Sequence, residues 1–282
     1  SVAHTLPAAM TRTREPLQIG AEVYGHAGVE SDVEIQHLML QALQFAGVAE
    51  IHLDLGHVKI FKAITSRANI APALEAELFG ALQAKDVPAL RRLAAGLEAR
   101  AGKALLLLAE LNGGDEVLQR AQKELPDYAE IGAALADLRT LGAQLRNQVA
   151  NLCFDLAELR GYHYHSGVVF SAYVKGSANA IALGGRYDEV GKSFGRPRAA
   201  TGFSMDLREL VALRPGDGQR AAILAPYAQD AALQQRIAEL RAQGEIVIID
   251  LPGHADSSAE LNCDRRLAAR NGKWEIVKIK KS

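Results

Sequence analysis

Arg14-Glu15-Pro16-Leu17-Gln18-Ile19-Gly20-Ala21-Glu22, continued by Val23-Tyr24, is the stretch on which the architecture turns. From Leu17 the residues alternate. Leu17, Ile19, Ala21 and Val23 share one face, and Gln18, Gly20, Glu22 and Tyr24 the other, the pattern of a strand. Gln18 and Glu22 are an even number of positions apart, so both side chains leave the same face. Gly20 between them lets a ligand approach the backbone. A carboxylate and a carboxamide over a glycine floor suit a small cation such as an α-ammonium group, which presents only donors. An ordinary exposed polar face fits the same pattern, and on this segment alone that plainer reading has a slight edge.

Outward from this strand, Ser31-Asp32 caps a helix through Phe45, with Val33, Leu38, Leu40, Leu43 and Phe45 apolar. Glu50 to Gly56 reads as a second strand, Ile51, Leu53 and Leu55 alternating with polar residues. Residues 72–158 turn rich in Ala and Leu. Asp86-Val87-Pro88 marks a helix start there, and Gly113-Gly114 and Pro126 are breakers, so a helical insert of four or more helices is expected. Tyr162 to Val174 and Ala178 to Leu183 are strand candidates, the second ending in a Gly184-Gly185 turn. Residues 201–213 start extended and enter a helix near Asp206. Pro215-Gly216-Asp217-Gly218 is the best linker. Beyond it come a strand (Ala221 to Leu224), a helix (Ala228 to Gln243, stopped by Gly244) and a strand (Ile246 to Asp250). A hairpin of Leu267 to Arg270 and Trp274 to Ile279 turns on Asn271-Gly272.

The 282 residues carry 32 Lys+Arg against 33 Asp+Glu. That balance argues against a broad basic surface for nucleic acid. Cys153 and Cys263 match no metal or redox spacing and read as isolated thiols of a reducing cytosol. No apolar run reaches a membrane span, and no secretory pattern opens the chain. A soluble, cytoplasmic protein is expected. The chain opens on Ser1-Val2-Ala3-His4 without a Met, so an upstream part is expected to be absent.

Arg160 precedes Gly161 and a candidate strand in which His163 and His165 share one face, and Tyr162 and Tyr164 the other. Arginine's planar fork fits a carboxylate in two parallel hydrogen bonds. An amino acid needs both an anionic clamp and a cationic one, and Tyr and His nearby could hold a polar side chain. A surface arginine beside a polar strand edge is the plain alternative. His163 and His165 as a zinc pair rank below both, because no Cys or acid follows at useful spacing. Gly184-Gly185 allows a ligand to lie against backbone, with Arg186, Tyr187 and Asp188 projecting beyond. As a phosphate loop it fails, since no fingerprint follows. No cofactor is implied.

Taken together these segments resemble histidyl-tRNA synthetase, a class II synthetase. Gln18 to Glu22 looks like its motif 2 strand, and Arg160 to His165 like its histidine-specific Arg-Gly-Leu-Asp-Tyr-Tyr signature. Gly184 to Asp188 and Gly202-Phe203-Ser204-Met205 look like the approach to motif 3. The resemblance covers roughly residues 2–213. It implies an α+β fold: a class II-like antiparallel sheet flanked by helices, with a helical insert and a small C-terminal α/β unit. The expected organisation is core 1–71, insert 72–158, core 159–215 and C-terminal unit 216–282.

The departures point elsewhere. An Arg-x-Glu triplet that grips ATP in that family is replaced by Ala3-His4-Thr5, counted back from Pro7. The Gly-Leu-Glu-Arg ending motif 3 becomes Asp206-Leu207-Arg208-Glu209, with an acid at the arginine position. Such losses disfavour a triphosphate. The Asp-Tyr-Tyr of the signature becomes His163-Tyr164-His165. The runs Tyr24 to Asp32 and Gly161 to Phe170, and the unit with Cys263-Asp264-Arg265-Arg266-Leu267, resemble instead the regulatory subunits of short-form ATP phosphoribosyltransferase. That resemblance implies a non-catalytic subunit that activates a short catalytic partner and helps transmit feedback inhibition by histidine, self-associating as a dimer within a hetero-oligomer. Its ligand residues would be Glu22 for the ammonium, Arg160 for the carboxylate, Gln18 with Tyr164 or His165 for the side chain, and Gly184 and Gly185 as a wall. The alternatives are a divergent active histidyl-tRNA synthetase and a free-standing histidine- or metal-binding protein.

Overall fold

The computed structural model describes residues 15–162, 164–177, 179–213, 221–253, 261–270 and 272–279. Ala3-His4-Thr5, Pro7, Arg14, His163, Ala178, the Pro215–Gly218 linker and Asn271 therefore lie outside the described residues. The chain divides into two compact units, 1–214 and 215–282.

In the first unit, β1 (Gln18–Tyr24) leads into α1 (Val29–Phe45). Then follow β2 (His52–His57), α2 (Val58–Arg67), α3 (Pro72–Gln83), α4 (Val87–Ala94) and α5 (Ala99–Leu108). The short β3 (Asn112–Gly113) precedes α6 (Asp115–Glu124) and α7 (Ala129–Leu145). The unit closes with β4 (Asn151–Asp155), β5 (Val168–Tyr173), β6 (Ala182–Arg186), β7 (Ala200–Asp206) and α8 (Leu207–Leu213). The strands form one seven-stranded sheet, β1-β7-β6-β5-β2-β4-β3. Every neighbouring pair is antiparallel except β2 and β4, which run parallel.

Alternation decides which face is covered. Leu53, Leu55, Phe154, Phe170, Ala172, Phe203 and Met205 are buried in one core that also holds Ile35, Met39, Leu40 and Leu43 of α1 and Leu135, Leu138, Leu141 and Leu145 of α7. The opposite face carries Glu22 beside Gly202, Gly20 beside Ser204, and Asp54 beside Ser171 and Cys153. That face holds the polar groups discussed below.

Several expectations change. α1 begins at Val29 with Gly28 as its N-cap. Ser31 and Asp32 lie inside its first turn and are buried, because both are drawn onto Arg186. Leu17 and Ile19 are 42% and 47% exposed, since β1 is an edge strand. The strand expected from Tyr162 begins only at Val168. Gly161 takes φ +66°, the left-handed region, and the Tyr164 and His165 amides donate to its carbonyl at 2.7 Å. This closes a turn instead, so the shared-face argument for His165 does not apply. Gly184 and Gly185 lie within β6 and form no turn. A side chain on Gly184 would collide with the Phe170 ring and the Gly202 carbonyl, so close strand approach explains the glycine. Residues 72–158 hold five α-helices and a 3-10 turn at Arg146–Gln148, with Asp86 capping α4 through a 2.9 Å bond from the Ala89 amide. The same span also supplies β3 and β4 to the main sheet.

The second unit comprises β8 (Ala222–Pro226), α9 (Ala231–Ala242), β9 (Val247–Asp250), β10 (Cys263–Arg270) and β11 (Lys273–Lys278). Its sheet order is β11-β10-β8-β9. β8 is parallel to both β9 and β10, and β10 and β11 form the antiparallel hairpin. Ile223, Leu233, Ile237, Leu240, Val247 and Leu267 make its core. Asp230 caps α9 at the Ala232 and Leu233 amides and accepts from the Trp274 indole at 2.9 Å.

Candidate functional site

Glu22 on β1 and Gly202 on β7 sit opposite each other. With no side chain at Gly202, the Tyr187 hydroxyl crosses over it and donates to Glu22 Oε1 at 2.5 Å. The Tyr24 hydroxyl donates to Oε2 at 2.8 Å. Both carboxylate oxygens are thus occupied by phenols. The bond to Glu22 and burial push the Tyr24 pKa up. Burial, then the bond to Glu22, push that of Tyr187 up. Neither phenol ionises near neutrality, so each stays a donor.

Around this carboxylate lies a cleft of about 240 Å³ lined by Glu22, Tyr164, His165, Leu183, Gly184, Tyr187, Gly202, Phe203 and Ser204. The Tyr164 ring stacks on Tyr187 at 4.8 Å between centroids. Burial lowers the His165 pKa, leaving the ring neutral near pH 7. Its Nδ1 lies 3.0 Å from the Arg160 carbonyl, which can only accept, so Nδ1 carries the proton and Nε2 is an acceptor. Lys62 Nζ holds the His165 carbonyl at 3.0 Å. Ser166 ties the turn to β6 through Asp188 at 3.0 Å and the Arg186 carbonyl at 2.7 Å.

Arg186 fixes the other side. Buried at 4% exposure, it donates to Asp32 at 3.0 Å, Ser31 Oγ at 2.8 Å, and the carbonyls of Gly28 and His26 at 2.9 and 3.1 Å. Asp188 accepts from it at 3.2 Å. The start of α1 is thereby pinned to β6 beside Tyr187. Arg186 was noticed in the sequence only as projecting from a turn. Its role follows from burial, which spacing does not reveal.

Of the expected site residues, the structure brings together Glu22, Tyr164, His165 and Gly184, with Gly185 directly beneath the His165 ring. It does not bring Gln18, which sits opposite Asp206 at the far end of β1. Nor does it bring Arg160, whose guanidinium donates to the Tyr173 hydroxyl at 2.7 Å and pairs with Glu158 at 3.4 Å. Tyr24, Tyr187 and Ser204 were absent from the expected set. Tyr187 stood in the Gly-Gly-Arg-Tyr-Asp run, but its reach across β7 depends on Gly202, a residue distant in sequence. Among the described residues no lysine or arginine lines the cleft. It presents one carboxylate, a neutral acceptor imidazole and hydroxyls. It suits a small ligand with ammonium or N–H donors, and it offers a triphosphate no cation. The expected acid-for-arginine exchange is Glu209, in the first turn of α8. Just before it, Asp206 accepts from the Arg208 amide at 3.0 Å and the Leu17 amide at 3.2 Å, a capping role.

Comparison with known proteins identifies the family. A histidyl-tRNA synthetase family model matches residues 1–210, and a model of the ATP phosphoribosyltransferase subunit HisZ C-terminal domain matches residues 220–277. An ATP phosphoribosyltransferase regulatory subunit from Nitrosospira multiformis is 55% identical over 98% of this chain and 72% of its own length. The chain belongs to the ATP phosphoribosyltransferase regulatory subunit family. Among solved structures it is similar to an ATP phosphoribosyltransferase regulatory subunit/histidyl-tRNA synthetase from Bacillus halodurans, at TM-score 0.66 and 28% identity, over 86% of this chain and 65% of that one. It also shares the fold of a chain in the HisG:HisZ complex from Thermotoga maritima, at TM-score 0.54 and 16% identity, over 68% of this chain and 66% of that one. The class II synthetase-like α+β fold expected from sequence is thereby established, and the regulatory-subunit family with it.

Proposed function

We propose that this chain serves histidine biosynthesis as a non-catalytic subunit. It binds and activates a short-form ATP phosphoribosyltransferase catalytic subunit in the cytoplasm, within a hetero-oligomer in which it self-associates as a dimer. Histidine is its effector. Family membership supports the partner. The observation that carries the ligand is the Glu22 carboxylate held by two phenols in a cleft where no lysine or arginine stands among the described residues. A histidine ammonium meets the single anion, and its imidazole N–H meets the His165 Nε2 acceptor. The carboxylate clamp once assigned to Arg160 is left to hydroxyl donors such as Ser204. Feedback is then linkage: if histidine favours one state of the assembly, the coupling is typically about 1–3 kcal/mol.

The test is Glu22→Ala in the reconstituted complex, assayed for phosphoribosyl transfer with and without histidine. Weaker inhibition with assembly retained is expected. Unchanged inhibition in an intact complex moves the sensor out of this cleft. Histidine-dependent pyrophosphate exchange by the chain alone would instead make it an active synthetase.

A further inference from the structure

Behind the Tyr164–Tyr187 pair lies a second, larger cleft of about 410 Å³, lined by Tyr24, Tyr164, Tyr187, Val190, Gly191, Arg196, Arg198 and Ala200. It sits beyond the strand ends, where β1 finishes, β6 exits and β7 begins. One wall is aromatic, with Tyr24 54% and Tyr164 46% exposed. The other carries two exposed guanidiniums.

Neither arginine has a carboxylate partner among the described residues. The nearest acids in sequence are engaged elsewhere: Asp188 accepts from Arg186 at 3.2 Å, and Glu189 pairs with Lys192. The backbone that presents them is built for close approach. A side chain on Gly191 would collide with the Arg196 carbonyl, so the loop closes on itself there. The Arg198 amide donates to the Asp188 carbonyl at 3.2 Å, and the Gly25 amide to the Ala199 carbonyl at 2.7 Å. Gly25, at φ +93°, leaves the Arg198 guanidinium resting over bare backbone.

We propose that this second cleft binds a phosphomonoester carried on a flat ring. Two neighbouring guanidiniums without a counter-charge match a phosphomonoester of about −1.5 to −2 charge, which accepts forked hydrogen bonds from both. Tyrosine faces stack a planar ring, and the guanidiniums of the facing wall take its phosphate. A ring without the anion leaves the cations unmatched, and an anion without the ring leaves the aromatic wall bare. The proposal stands apart from the amino-acid reading of the Glu22 cleft, since it uses Arg196 and Arg198, which that reading does not.

Isothermal titration of the full chain with phenyl phosphate, inorganic phosphate and phenol tests it. Phenyl phosphate is expected to bind more tightly than either fragment. Arg196→Gln and Arg198→Gln should each weaken it by about tenfold, the scale of one lost charge-assisted contact. Tyr164→Leu should weaken phenyl phosphate and leave inorganic phosphate unchanged. Arg120→Gln, an exposed cation of the α5–α6 region, serves as the charge control and should change nothing. Equal affinity for phenyl phosphate and inorganic phosphate overturns the proposal. So does indifference to both arginine substitutions, or no heat at concentrations on the order of millimolar.

Discussion

Replacing Arg186 by Leu should be among the most damaging single changes in the first unit. The side chain is 5% exposed and holds Asp32, itself 3% exposed, at 2.9 Å. Removing it leaves a buried carboxylate without its counter-charge and takes one donor from the carbonyls of His26 and Gly28 and from the Ser31 hydroxyl. Breaking one partner of a buried ion pair costs about 3–5 kcal/mol. In a domain of this size each kcal/mol moves the midpoint by roughly 2–4 °C, so a fall of roughly 6–20 °C is expected by calorimetry. The pH dependence has a definite sign. Burial raises the Asp32 pKa, and Arg186 pulls it back. The folded state therefore keeps this proton to higher pH than the unfolded chain, and stability falls as pH rises from the unfolded value through the folded one. Losing Arg186 lifts the folded value further. The penalty of Arg186→Leu should accordingly shrink in mildly acidic buffer, and adding Asp32→Leu should recover part of it. A loss below about 1 kcal/mol, or one that grows as pH falls, would show that the five-partner clamp is not what joins α1 to β6.

Other changes probe separate links. Gly202→Ala places a methyl 2.8 Å from both Glu22 Cγ and the Tyr187 hydroxyl; it should weaken histidine inhibition of the complex and cost about 1–3 kcal/mol in urea denaturation, an overpacking penalty. Leu53→Ala, fully buried in the interior strand β2, should cost about 2–5 kcal/mol by the same measurement. Asp86→Ala removes the cap of α4 and should cost about 1 kcal/mol. His165 has a pKa lowered by burial, so its contribution to stability should decline as pH falls below its unfolded value; comparison with His165→Gln over that range should show a flatter profile for the variant.

Much of the architecture was legible because period and punctuation have local causes. The alternation of Ile51, Leu53 and Leu55 marks a strand wherever it sits, and these residues are 3%, 0% and 0% exposed. Asp86 followed by Pro88 starts a helix because both satisfy its first turn. What stayed hidden depends on partners far along the chain. Gly184 and Gly185 followed a strand-like run and looked like its end. Only the approach of Phe170 and Gly202 across neighbouring strands shows that the strand continues through them. The same holds for the residues after Arg160: Tyr162 alternates correctly for a strand but packs against Phe61 and Phe79 from a turn.

The site was half legible for a related reason. Spacing tells which side chains leave one face of one strand, and by that rule Gln18 and Glu22 belong together. A cleft, however, is closed by what lies opposite in the sheet. Glu22 faces Gly202, so a phenol from beyond β6 can reach it; Gln18 faces Asp206, whose carboxylate is turned onto the Leu17 and Arg208 amides. Arg160 shows the same logic applied to charge. A guanidinium near an amino-acid cleft looks like a carboxylate clamp until Glu158 and Tyr173 are found beside it. Arg196 and Arg198 drew no notice in the sequence, yet they are the cations beside the tyrosine wall that no acid has claimed among the described residues. For a charged side chain the informative question is therefore which opposite charge the fold has already placed within reach.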